Sequence, residues 1–111
     1  LFREAMKAGH LRRRAIESEL REAIPSDALE LYYQPIVNAE TGEPSSYEAL
    51  LRWNHPRRGF LPPGEFLQIA EEAGLMNALG RWALRRACRQ AALLPKHISV
   101  AVNVSPSQFR S

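Results

Sequence analysis

A chain of 111 residues has room for one small domain or a piece of a larger one, since domains cluster near ~100–150 residues. It is 45% hydrophobic, 8% aromatic and 24% charged, a globular composition that excludes disorder along the whole length. No apolar run approaches the ~20 residues of a membrane-spanning helix, and the charge scattered through the opening residues argues against a secretory signal in them.

Fifteen basic against twelve acidic residues leave a net charge of +3. Thirteen of the fifteen are arginine, but so small an excess does not argue for nucleic-acid binding, and no DNA partner is expected. A solvated arginine-rich surface is expected instead. Cys88 is the single cysteine, so no intramolecular disulfide can form and a reducing, cytoplasmic setting is expected.

Residues 1–24 read as a charged helix. Ile16, Leu20 and Ile24 recur every four residues, and Glu17 can pair with Arg21 one turn on. The stripe is narrow and Gly9 weakens the first half, so a connecting or self-associating helix is expected rather than a core element. Arg12, Arg13 and Arg14 are expected on a solvated face. Pro25-Ser26-Asp27 ends the helix.

From Leu29 to Val37 and again from Ser45 to Trp53 the pattern is extended, and the turn-rich NAETGEP lies between. This predicts an antiparallel hairpin, with Pro35 marking the first strand as an edge or a bulge. Residues 54–63 read as a loop. A short helix follows from Pro63 to a Gly74 cap, burying Phe66, Ile69, Ala70 and Ala73. A longer one is predicted from an Asn77 N-cap to about Leu94, with Leu79, Ala83, Ala87, Ala91 and Leu94 inward and Arg81, Arg85 and Arg89 outward. HISVAVNVS, residues 97–105, reads as a buried strand. Strand–helix–strand implies a parallel crossover, which leaves the first strand antiparallel at the margin.

Two polar residues stand out in apolar surroundings. Glu48 precedes Ala-Leu-Leu, and Asn103 sits between Val102 and Val104. A carboxylate there is costly to bury unless paired or bound to a cation, although strand alternation could equally point either side chain to solvent. At the C-terminal ends of parallel strands, where α/β folds place ligands, such oxygen donors suit Mg²⁺ or Mn²⁺.

YYQPIV, YEALLRWNHP, FLPPGEFLQIAEEAGLM, LGRWALRRACRQ and VAVNVSPSQF, in that order, resemble the opening half of an EAL domain, from about Leu29 onward. The family consists of bacterial cyclic di-GMP phosphodiesterases and is named for the Glu-Ala-Leu found here at Glu48, Ala49 and Leu50. The resemblance implies an α/β fold, part of a TIM-like (β/α)₈ barrel with an antiparallel first strand. A linker helix (residues 1–26) would precede the N-terminal part of the EAL domain (residues 27–111).

It also implies that Glu48 and Asn103 are ligands of a two-metal Mg²⁺ or Mn²⁺ site and that Arg52 holds a substrate phosphate, a task suited to a guanidinium fork. Gln34 would line the same pocket, and Leu50 and Pro63 are further candidates for packing against the dinucleotide. The general base, a lysine and further acidic ligands are expected downstream. A barrel needs ~250 residues, so this part alone is expected to be inactive towards cyclic di-GMP.

Other readings stay open: Arg52 as a surface ion-pair partner, Gln34 as an ordinary strand residue, and the parent as a degenerate EAL domain that only binds the dinucleotide or a protein. His55 is expected to be structural, His10 and His97 solvated or capping, Trp53 and Trp82 core, and Cys88 an inert buried thiol. A homo-oligomer and an upstream sensory or GGDEF-type domain are the partners the family suggests, with a cytoplasmic location or the cytoplasmic side of a membrane-anchored parent.

Overall fold

The computed structural model describes residues 2–102. The order is α1 (Phe2–Ala23), β1 (Glu30–Val37), β2 (Pro44–His55), β3 (Gly59–Leu61), α2 (Pro63–Glu72), α3 (Met76–Ala91) and β4 (Ser99–Val102). No helix among the described residues is long and apolar enough to cross a membrane.

The central strand is β2. It pairs antiparallel with β1 and β3 and parallel with β4, so the predicted hairpin and the parallel crossover are both present. Pro35 lies on β1, which among the described residues pairs with β2 alone, and the register slips near its end, between Ile36 and Val37. A strand that ends a ladder tolerates the missing N–H. Asn38 closes the β1–β2 turn, its side-chain oxygen accepting from the backbone of Glu40 at 2.8 Å and of Thr41 at 3.3 Å.

Strand alternation divides β2 between two faces. Ala49, Leu51, Trp53 and His55 are buried on one; Glu48, Leu50 and Arg52 stay half-exposed on the other. Against Leu51 and Trp53 gather Ile16, Leu20, Phe66, Leu67, Leu79 and Trp82. Trp53 meets Phe66 edge to face at 5.6 Å between centroids, a geometry worth about 0.5–1.5 kcal/mol beyond the area buried.

Helix α1 is more than a connector. Ile16 and Leu20 are 1% and 0% exposed, and Ala23 and Ile24 are buried with them, so its second half is part of the core. Residues 3–14 are exposed, which is where the expectation of a solvated helix holds. The narrow stripe suffices because one face of a helix is all that a sheet-backed core needs. Arg12 reaches Glu65 at 2.9 Å and Arg13 pairs with Glu72, both across to α2; being exposed, such pairs add little.

The segment read as a loop contains more structure than expected. β2 runs to His55, and after a turn that places Gly59 at φ 72° the chain returns as β3. Helix α2 begins at Pro63 and its chain leaves through Gly74 at φ 73°, a conformation suited to glycine at a helix end.

The start of α3 differs from the prediction. Leu75 is its N-cap, with no side-chain cap bond, and Asn77 lies inside the first turn. Leu75 N donates to Ala70 O of α2 (2.8 Å) while Leu75 O accepts the first bond of α3, from Leu79 N (2.9 Å). Leu75 thus already serves as the joint and cap, in a helical rather than extended backbone. The helix stops at Ala91, short of Leu94. Cys88 is exposed rather than buried, because the inward face is taken by Leu79, Ala83 and Ala87. In β4, Val100 and Val102 are half-buried while Ser99 and Ala101 are exposed, so this strand is covered on one face and not on both.

Candidate functional site

The open face of the sheet collects the polar residues singled out above. Gln34 on β1 stands directly across from Glu48, which is itself in register with Ala101 on β4. Directly opposed residues of an antiparallel ladder share a face. Gln34, Glu48, Leu50 and Arg52 therefore lie on one side of the sheet, with Tyr32 opposite Leu50 and Glu30 opposite Arg52.

Arg52 forms no ion pair among the described residues. Its Nη1 donates to the carbonyl of Leu51 at 2.9 Å, and its guanidinium lies 5.8 Å from the ring centroid of Tyr32, within cation–π range. Among the described residues its remaining N–H donors have no partner, and such donors suit an anionic ligand. Pro63 is not on these strands: it opens α2, whose Phe66 packs on Trp53. Asn103 lies outside the described residues.

The donor chemistry fits a hard divalent cation in part. Glu48 offers a carboxylate and Gln34 an amide oxygen on the same face, both of the type Mg²⁺ and Mn²⁺ prefer. Among the described residues no group of three or more His, Cys, Asp or Glu is arranged to hold a metal, so these residues can supply only part of a coordination shell.

Behind this face lies a polar cluster that sequence reasoning missed. His55, 5% exposed, accepts at Nδ1 from the backbone N–H groups of Arg57 (3.0 Å) and Arg58 (3.1 Å). The ring proton is thereby left on Nε2, which donates to Glu19 Oε1 at 2.5 Å. Arg58 donates to both oxygens of Glu19, at 2.8 and 3.0 Å. The hydrogen bond from Arg58 does most to lower the Glu19 carboxyl from 4.5 to about 2, against the desolvation of burial and with further help from His55. His55 is structural, as expected; its partner 36 positions upstream carried no local signal. A cavity of about 420 Å³ opens beside the cluster, lined by Glu19, Glu22, Ser26, Trp53, His55 and Arg57 among others.

At the far end of α1, Asp27 adopts φ 63° and accepts from Trp82 Nε1 at 2.7 Å while pairing with Arg86. Trp82 is core, as expected, and its indole N–H finds a partner, as buried Trp usually does. Tyr33, on the helix-covered side of β1, has its hydroxyl pKa raised by burial.

Comparison with known proteins sets this geometry in context. The uncharacterised protein y4lL of Sinorhizobium fredii is 46% identical over 110 residues, covering 99% of this chain and 13% of its own length. The cyclic di-GMP phosphodiesterase NbdA of Pseudomonas aeruginosa is 45% identical over 98 residues, covering 85% of this chain and 12% of its own length. The chain thus spans a small part of the curated relatives it matches. The solved structure of the PaMucR phosphodiesterase in complex with c-di-GMP superposes with a TM-score of 0.75 at 42% identity, over 86% of this chain and 40% of that one. The described elements are accordingly part of a TIM-like barrel. With the EAL domain model matching residues 17–111, the chain belongs to the EAL domain family.

Proposed function

We propose that the domain to which this chain contributes binds cyclic di-GMP and hydrolyses one of its phosphodiester bonds, giving linear pGpG, in bacterial second-messenger signalling. The observation that carries the reading is the shared open face of Gln34, Glu48, Leu50 and Arg52, in a chain similar to a phosphodiesterase solved with c-di-GMP. Arg52 would hold a phosphate through its guanidinium N–H groups, and Tyr32 beneath it restricts where the guanidinium can swing. Leu50 would offer the dinucleotide an apolar contact, Gln34 a hydrogen bond and Pro63 a rigid edge.

Glu48 and Asn103 would supply part of the coordination of two Mg²⁺ or Mn²⁺ ions. When bound, such ions stabilise negative charge on phosphoryl oxygens and acidify water. One carboxylate does not complete that shell, so the 111 residues by themselves do not turn the dinucleotide over. The parent works in the cytoplasm or on the cytoplasmic side of a membrane, as a homo-oligomer, and α1 joins it to an upstream sensory or GGDEF-type domain.

The test is hydrolysis of cyclic di-GMP by the intact protein in Mg²⁺ or Mn²⁺, beside its Glu48→Ala variant. Turnover that the substitution abolishes supports the proposal. Binding without turnover by the wild type points to a dinucleotide-binding module, and absence of binding ends the reading. Turnover by the isolated 111 residues, lost in Glu48→Ala, would overturn their proposed inactivity.

A further inference from the structure

The last residues of β2 are tied to α1 by side-chain hydrogen bonds as well as to the sheet. Among the described residues, pairing with β1 reaches Arg52, opposite Glu30. From Trp53 to His55 the strand has only the three-residue β3 as a described ladder partner. Arg52 lies three residues before His55, and among the described residues its guanidinium meets its own strand's Leu51 carbonyl and the face of Tyr32. Through that carbonyl, the place of the guanidinium follows the backbone of this strand end.

We propose that Glu19 is a positioning residue for Arg52, fastening the end of β2 to α1 so that the helix sets the place of the anion-binding rim. The inference rests on the reading of Arg52 as a phosphate ligand. Glu19 is 17% exposed at its side chain, receives His55 from the strand end and Arg58 from the turn that follows, and so ties both to one point on the helix. His55 is fixed in turn by two backbone N–H groups, so the bond to Glu19 acts on the main chain of the turn as well as on a side chain.

The apolar contacts of Ile16 and Leu20 hold the helix down but are non-directional. The hydrogen bonds of Glu19 also fix its rotation and height, since they weaken steeply when distance or angle is lost. A shift of α1, exposed over residues 3–14, would then be felt at Arg52 on the other face of the sheet.

The experiment compares Glu19→Gln with Leu20→Ala in the intact protein, measuring KM and kcat for cyclic di-GMP, the thermal midpoint, and amide exchange at residues 52–55. Glu19→Gln is expected to raise KM about tenfold or more, as small misplacements of a binding group do, and to speed exchange at those amides. Leu20→Ala, which lowers the thermal midpoint through the core, is expected to leave KM and the local exchange near wild type. Equal KM for wild type and Glu19→Gln, or equal effects of the two substitutions, overturns the proposal. Should the wild type neither bind nor turn over the dinucleotide, the proposed function fails, and exchange alone decides the positioning role: selective opening in Glu19→Gln supports it, and none refutes it.

Discussion

Asp27 accepts a hydrogen bond from the indole of Trp82 at 2.7 Å while holding a left-handed backbone, φ 63°. Asp and Asn are among the few non-glycine residues that tolerate that conformation. The side chain gives a reason to keep it: one carboxylate bonds Trp82 and pairs with Arg86, joining the reversal after α1 to the middle of α3. Asp27→Asn keeps the backbone tolerance and an acceptor but loses the charge; Asp27→Ala loses all three. Thermal midpoints should fall in the order wild type, Asn, Ala. An Ala variant as stable as the Asn variant would show that the indole bond contributes nothing.

The burial of α1 separates its two halves energetically. Leu20→Ala should cost about 2–5 kcal/mol, the usual range for deleting a fully buried leucine, because Leu20 is 0% exposed. Met6→Ala should stay within about 0.5 kcal/mol, since Met6 is 52% exposed. Denaturant unfolding of both variants measures the difference, and equal small effects would return the whole helix to the role of a connector.

The lowered Glu19 carboxyl makes a statement about pH. Its folded value of about 2 lies below the ordinary 4.5, so the folded state binds fewer protons than the unfolded one between those limits. The stability it contributes is complete above about pH 5 and drains away as the pH falls towards about 2. Asp27, lowered first by its bond to Arg86 and then by Trp82, acts in the same direction. Stability curves of wild type and Glu19→Gln should therefore draw together as the pH falls from about 5 towards about 2 and run at a constant separation above about pH 5. A gap that stayed constant down to about pH 2 would contradict the assignment.

At the open face, Arg52→Ala should weaken binding of cyclic di-GMP by about tenfold to a hundredfold, the worth of hydrogen bonds to a charged group. Tyr32→Leu should weaken it less, through loss of the ring at 5.8 Å. Glu48→Ala should remove turnover more completely than binding. Titration calorimetry beside a product assay distinguishes the three, and a Tyr32 variant as damaged as the Arg52 variant would mean that the ring itself contacts ligand.

Periodic features were legible from sequence and long-range polar pairings were not. The hairpin, the parallel crossover and the inward faces of α2 and α3 follow from spacing, because alternation and the 3.6-residue repeat are imposed by backbone geometry. Glu48 and Arg52 were joined in one site by the family resemblance, and the alternation of the observed strand puts them on one face. By contrast, Glu19 with His55 and Asp27 with Trp82 join residues 36 and 55 positions apart, and nothing local to any of the four announces its partner. The N-terminus of α3 was misplaced because Asn77 is a good capping residue in isolation, while Leu75, bonded back to Ala70, already accepts the first bond of the helix. Cys88 was misjudged from its small neighbours, which surround it in sequence but occupy a different side of the helix.

The division of β2 between its two surfaces limits how the gene can change. Adding or deleting one codon between those for Glu48 and Trp53 would turn Trp53 outward and Arg52 into the apolar interior, exchanging ligand contacts for core contacts at a stroke. Length variation is far easier to absorb at Asn38–Glu43, where the reversal is solvent-facing and held by its own short-range bonds. Related sequences that differ in length should therefore differ at that bend and keep the strand's residue count unchanged.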